Sequence, residues 1–176
     1  MKMHVRPRML LCVLAILVIT PRMTYAYCAG WDKSLPNYDP DYYSVSHEYK
    51  RSMYVVEAEA IRETWLGEDG KPKALVPPFQ SGSPRPWGFD PYMGTYYDVA
   101  VLRVFKGKPP AHLRLFSENS TARFWLDIGK KYVLFVDTNT FDAPIDSQLS
   151  IDTCGNSGVL PPAQKILQNV EKLSAH

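Results

Sequence analysis

The residues most able to do chemistry are Cys28 and Cys154, three scattered histidines, and a few paired carboxylates. Cys154 is followed by Gly155-Asn156-Ser157-Gly158, a glycine-framed serine of the kind found in nucleophile loops. Such a serine needs a histidine base oriented by a buried acid. The histidines beyond residue 26 are His47, His112 and His176, and none sits in a cluster or motif that supplies that base. Residues 155–158 therefore read as a turn between a strand and a helix. The same scatter argues against zinc, which gathers its ligands at short spacings. Glu57 and Glu59 are spaced as a carboxylate pair for acid–base work. Alternation with apolar residues makes them the solvated face of a strand instead. Asp39-Pro40-Asp41 lacks the glycine and distal glutamate of a calcium loop. There is no phosphate-binding glycine loop and no dinucleotide fingerprint, so no catalytic residue, metal or cofactor is expected. Asn119-Ser120-Thr121 is a glycosylation acceptor pattern, relevant in a eukaryotic host.

The two cysteines make sense once the first 26 residues are read. Lys2, Arg6 and Arg8 form a basic start, residues 9–20 an apolar run, and Thr24-Tyr25-Ala26 a small-residue cleavage pattern. That is a secretory signal, with cleavage after Ala26. The run is short for a membrane span and is interrupted by Pro21 and Arg22, so no span is expected after its removal. Attachment of lipid at Cys28 is disfavoured by the bulky Tyr25 and Tyr27.

The signal carries Lys2, Arg6, Arg8 and Arg22, four of the 20 basic residues, and none of the 18 acids. The mature chain is therefore slightly acidic, at 16 basic against 18 acidic residues. A nucleic-acid partner, which needs a basic stripe, is not supported. Residues 27–176 are one domain's worth of chain, long enough for a real core. Cys12 leaves with the signal. Cys28 and Cys154 then most simply form one disulfide in an oxidising compartment. Closing so long a loop contributes about 4–5 kcal/mol in the chain-entropy model.

The elements that position these residues read mainly as strands. Residues 53–63 alternate, with Tyr54, Val56, Ala58 and Ala60 on one face and Glu57, Glu59 and Glu63 on the other. Residues 95–107 form the longest strand signal. Tyr97, Val99 and Val101 share a face, then Leu102 and Val104 continue the apolar pattern one residue out of phase. Such a slip predicts a β-bulge, which bends a strand as a small closed barrel requires. A shorter strand follows with Leu113 and Leu115 inward. After the turn at 127–130, residues 131–137 are nearly all apolar and predict a central strand covered on both faces. Residues 148–154 alternate again and deliver Cys154. A short helix is expected over 44–52, capped by Ser46. A C-terminal amphipathic helix is expected from Pro161 or Pro162, with Ile166, Leu167, Val170 and Leu173 as its apolar stripe.

Residues 64–94 read as a long loop insertion. They hold six prolines together with Trp65, Phe79, Trp87, Phe89 and Tyr92. Loops of this length inside a domain are usually functional or disordered, and exposed aromatics supply anchor area for a protein partner.

The order of these elements resembles the netrin-like domain, and within it the tissue inhibitors of metalloproteinases and their bacterial relatives. The resemblance rests on Cys28 near the mature N-terminus, Tyr54-Val55-Val56-Glu57-Ala58-Glu59-Ala60, the Val104-Phe105-Lys106-Gly107 strand end, and Gly129-Lys130-Lys131-Tyr132 before a strand leading to Cys154. It implies a mainly β fold: a five-stranded Greek-key barrel of oligonucleotide/oligosaccharide-binding (OB) type with flanking helices. In that family the first mature residue is a cysteine whose amino group and carbonyl chelate the target's zinc. Here cleavage after Ala26 leaves Tyr27 first and Cys28 second, and most of the family's other cysteines are missing. The expectation is an exported module, secreted or periplasmic, that binds protein without catalysis. An extracytoplasmic protease is one such partner. Tyr27, Cys28, Trp65, Phe79, Trp87 and Phe89 are its candidate contacts. The alternative is an envelope oligosaccharide held on the barrel face by Tyr96, Tyr97 and Arg103.

Overall fold

The computed structural model describes residues 41–67, 69–73, 92–120, 123–139 and 148–175. The elements are α1 (Val45–Arg51), β1 (Tyr54–Gly67), β2 (Pro72–Lys73), β3 (Tyr92–Lys106), β4 (His112–Glu118), β5 (Lys131–Asn139), β6 (Gln148–Ile151), β7 (Gly158–Val159) and α2 (Gln164–Ser174). The chain is mainly β. Its seven-stranded sheet runs β2-β1-β3-β4-β6-β5-β7, and β1 also pairs with β5. The sheet therefore curls back on itself into a partly closed ring. Its weak seam is between β4 and β6, parallel strands that share the single paired position Leu115↔Leu149.

The period-2 pattern of β1 decides which residues fill the ring. Val56, Ala58 and Ala60 point inward, where they meet Tyr97 and Val99 of β3, Leu113 and Leu115 of β4, and Tyr132, Leu134 and Val136 of β5. Val55 points outward to a second core with Val133 and Phe135 of β5, covered by Ala163, Leu167 and Val170 of the C-terminal helix segment. This explains the unbroken apolar run of β5, where Tyr132 to Val136 are all buried. One set of side chains faces the ring and the other faces α2.

The expected bulge is present. Glu57 pairs with Arg103 and Ala58 with Val101, which leaves Leu102 unpaired with β1. Phe105 is passed over in the same way on β3, and Ile61 on β1. Leu102 and Val104 do not extend the core; they are 44% and 50% exposed, and Phe105 packs towards α2 instead.

Residues 64–94 are not one loop. β1 continues to Gly67, β2 pairs back on it at Trp65↔Lys73, and β3 begins at Tyr92. The Ile61 bulge shifts the alternation, so Trp65 is buried where the old phase would turn it outward, beside the equally buried Leu66. The cap of α1 is Ser44 rather than Ser46: its hydroxyl accepts the His47 N–H at 3.2 Å. α2 starts at Gln164, behind a turn that holds Pro161 and Pro162. Gly158 leaves the turn to pair with Val133 in the short β7.

Candidate binding surface

The Phe105-Lys106-Gly107 end of β3 docks α1. The Lys106 ammonium donates to the carbonyls of Tyr49 (2.7 Å), Lys50 (2.5 Å) and Ser52 (2.7 Å). Those are the carbonyls a helix end leaves without partners, and a cation there also suits the helix dipole. The Tyr49 hydroxyl donates back to the Phe105 carbonyl at 2.7 Å. Gly107 has φ 81°, and a side chain on it would run into the Met53 carbonyl.

The other side of α1 clamps the Cys154 turn. Glu48 is 1% exposed, and its Oε2 accepts the Asn156 backbone N–H at 2.6 Å and the Asn156 side-chain amide at 2.7 Å. Burial pushes the Glu48 carboxyl above its usual range, against the pull of those two bonds. Gly155 lies against this carboxylate with no room for a Cβ. Arg51 donates to Asp152 at 2.8 Å, and the other Asp152 oxygen accepts the Cys154 N–H at 2.9 Å. The Ser157 hydroxyl accepts the Phe135 N–H at 2.9 Å, which ties the turn to β5. Residues 155–158 thus act as a docking turn. Nothing local in the sequence announces this clamp, because Glu48 and Asn156 are 108 positions apart.

At the seam of the ring, β4 and β6 diverge around a cleft of about 190 Å³. Its apolar walls include Leu115, Phe116, Phe124 and Ile151; Glu118, Arg123 and Asp152 supply charge. That is well below the roughly 300–1,000 Å³ of small-molecule sites, so it has room for a side chain rather than a cofactor. The Ser117 hydroxyl fastens residue 124 to β4, donating to its carbonyl (2.8 Å) and accepting its N–H (3.1 Å). Beside the cleft, the Arg123 guanidinium lies 4.6 Å over the Trp125 ring and also bonds Asn119. Trp125 in turn meets Trp65 at 6.0 Å between ring centres. Gly67, where β1 ends, is paired with Tyr92, where β3 begins, on this same flank.

The structure rearranges the expected contacts. Trp65 is 4% exposed, lying in β1 against Trp125, and is not an exposed anchor. Tyr27, Cys28, Phe79, Trp87 and Phe89 lie outside the described residues. Tyr96, Tyr97 and Arg103 do not share a face. Tyr97 is buried in the ring, its hydroxyl donating to Glu63 at 3.0 Å, while Arg103 bonds Glu171 of α2 at 2.9 Å. Among the described residues no cluster of three or more metal-type ligands occurs, and no helix is long and apolar enough to cross a membrane. No family model matches the chain, and no curated protein matches it.

Proposed function

We propose that this protein is an exported, netrin-like module that binds another protein through the end of the ring where β1 and β3 separate. The OB-type reading is supported by the ring β1-β3-β4-β6-β5 with β1 returning to β5, five members with one parallel neighbour pair. The Cys28–Cys154 disulfide belongs to this reading.

One observation carries the binding assignment. The cleft, the Arg123–Trp125–Trp65 stack and the two strand ends at Gly67 and Tyr92 converge on one flank of the ring. Between those strand ends run the prolines and the aromatics Phe79, Trp87 and Phe89. A cleft sized for a side chain, on the flank that also carries Arg123 and Trp125, has the makeup of a protein contact, where a few aromatic and arginine anchors dominate. A zinc-chelating inhibitor mechanism requires a free cysteine amine, so N-terminal sequencing of the secreted protein decides it. Tyr27 as first residue excludes that mechanism and leaves the protein-binding reading standing.

The test is chemical cross-linking of the mature protein in its own medium or envelope fraction, against a variant with residues 75–90 replaced by a short glycine-serine linker. The proposal expects a cross-linked partner that the shortened variant loses. The same partner with both proteins counts against it.

A further inference from the structure

The cleft at the seam is lined by charges of both signs, and all but one are already engaged. Arg123 lies over the Trp125 ring and bonds Asn119. Asp152 uses both carboxylate oxygens inside the fold, one on Arg51 at 2.8 Å and the other on the Cys154 N–H at 2.9 Å. The remaining charge is Glu118, the last residue of β4. Its side chain is exposed, and among the described residues its carboxylate has no hydrogen bond or ion pair. The strand pairing explains why. Across β3, Glu118 stands opposite Gly94, which has no side chain to offer. Towards β6, the paired position of β4 is Leu115, so Glu118 lies beyond the point where the two strands meet.

The surface around this carboxylate is apolar. Leu115 and Phe116 of β4, Ile151 of β6, and Phe124, which Ser117 fastens to β4, supply it. A side chain entering the cleft therefore meets apolar walls and one unpaired carboxylate. An aliphatic or aromatic side chain would use the walls and leave Glu118 as it was. An acidic side chain would meet two carboxylates, while the guanidinium there is already stacked and bonded. An arginine could pair with Glu118, but its fork of N–H donors asks for more than one carboxylate supplies, and Asp152 is fully used. A lysine matches both parts of the cleft. Its methylene stem covers the apolar wall, and its ammonium is a compact point charge that pairs with one carboxylate and keeps water on its other donors.

We infer that the cleft takes a lysine side chain of the partner protein, and that Glu118 is the residue that selects it. This names the partner's contact at the interface proposed above and rests on that reading.

The test is a titration of the isotope-labelled mature protein with Nα-acetyl-lysine methylamide, followed through amide chemical shifts. The norleucine, arginine and glutamate analogues are the comparisons; norleucine keeps the methylene stem without the charge. Millimolar binding is the scale for a ligand this small. The lysine probe should shift the amides of Glu118, Phe124 and Ile151, and added salt should weaken it. Glu118→Gln changes an exposed residue and leaves the walls in place. It should lower the affinity about three- to fivefold, the scale of an exposed ion pair, to the level of the norleucine probe. A lysine response no stronger than that of any analogue, no response at the cleft amides, or an undiminished response in Glu118→Gln overturns the inference. The two readings fail separately. A cross-linked partner that is lost with residues 75–90, together with no lysine response, overturns this inference alone. A Glu118-dependent lysine response, together with a partner unaffected by that replacement, overturns the protein-binding reading and leaves the selectivity of the cleft standing.

Discussion

Glu48 and Lys106 are the residues on which α1 depends, and they act in opposite electrostatic senses. Lys106 offers one cation to three carbonyls at the end of the helix. Replacing it with Met leaves those carbonyls to water or to nothing, at a cost of about 1.5–3 kcal/mol, the range for bonds to charged groups. Chemical denaturation measures this, and a loss below a few tenths would mean the carbonyls are satisfied otherwise. Glu48 is a buried carboxyl held up from its usual value of 4.5 by burial. A raised acid adds most stability below that unfolded value, and the contribution is lost as pH rises through the higher folded value. Glu48→Gln does not titrate. The stability of the native protein relative to this variant should therefore fall as pH climbs from below 4.5. A difference that stays flat or grows with pH would contradict the burial of this carboxyl. Asp98 has the reverse sign. The Arg114 bond, helped by Arg62, holds it below the usual carboxylate range, so its contribution is lost as pH falls through its folded value.

At the scale of elements, α2 closes the second core by laying Leu167 and Val170 on Val55, Val133 and Phe135. Leu167→Ala should cost about 2–5 kcal/mol, read as a lowered urea midpoint without a change in slope. A loss under about 1 kcal/mol would mean that this side chain leaves little cavity behind. The helix was legible because its apolar residues recur three and four apart, and β5 was legible because a strand buried on both faces shows an apolar run. The Leu102 slip was legible because a bulge changes the phase of a two-residue pattern. The second half of β1 was not, and the cause is the same physics. The bulge at Ile61 sets Ile61 and Arg62 both outside, the alternation breaks, and Trp65 passes for a loop residue although the next register buries it. The clamp of Glu48 on Asn156 was illegible for another reason: a single buried pair far apart in sequence leaves no periodic trace.

At the scale of the whole molecule, the ring closes through β1, which pairs with both β3 and β5, and it is weakest where β4 meets β6. That asymmetry separates support from opportunity. α1 and α2 brace the outside of the ring through Lys106, Glu48 and the Leu167 contacts. The cleft opens at the seam, next to the strand ends that flank the proline- and aromatic-rich connection. The most direct measurement of the central claim is the cross-linking comparison between the mature protein and its counterpart with residues 75–90 replaced by a glycine-serine linker. Circular dichroism and thermal unfolding should show both proteins folded. The account predicts a partner protein joined to the intact chain and absent from the shortened one. Retention of the same partner by the folded, shortened chain, or no partner for either, would contradict it.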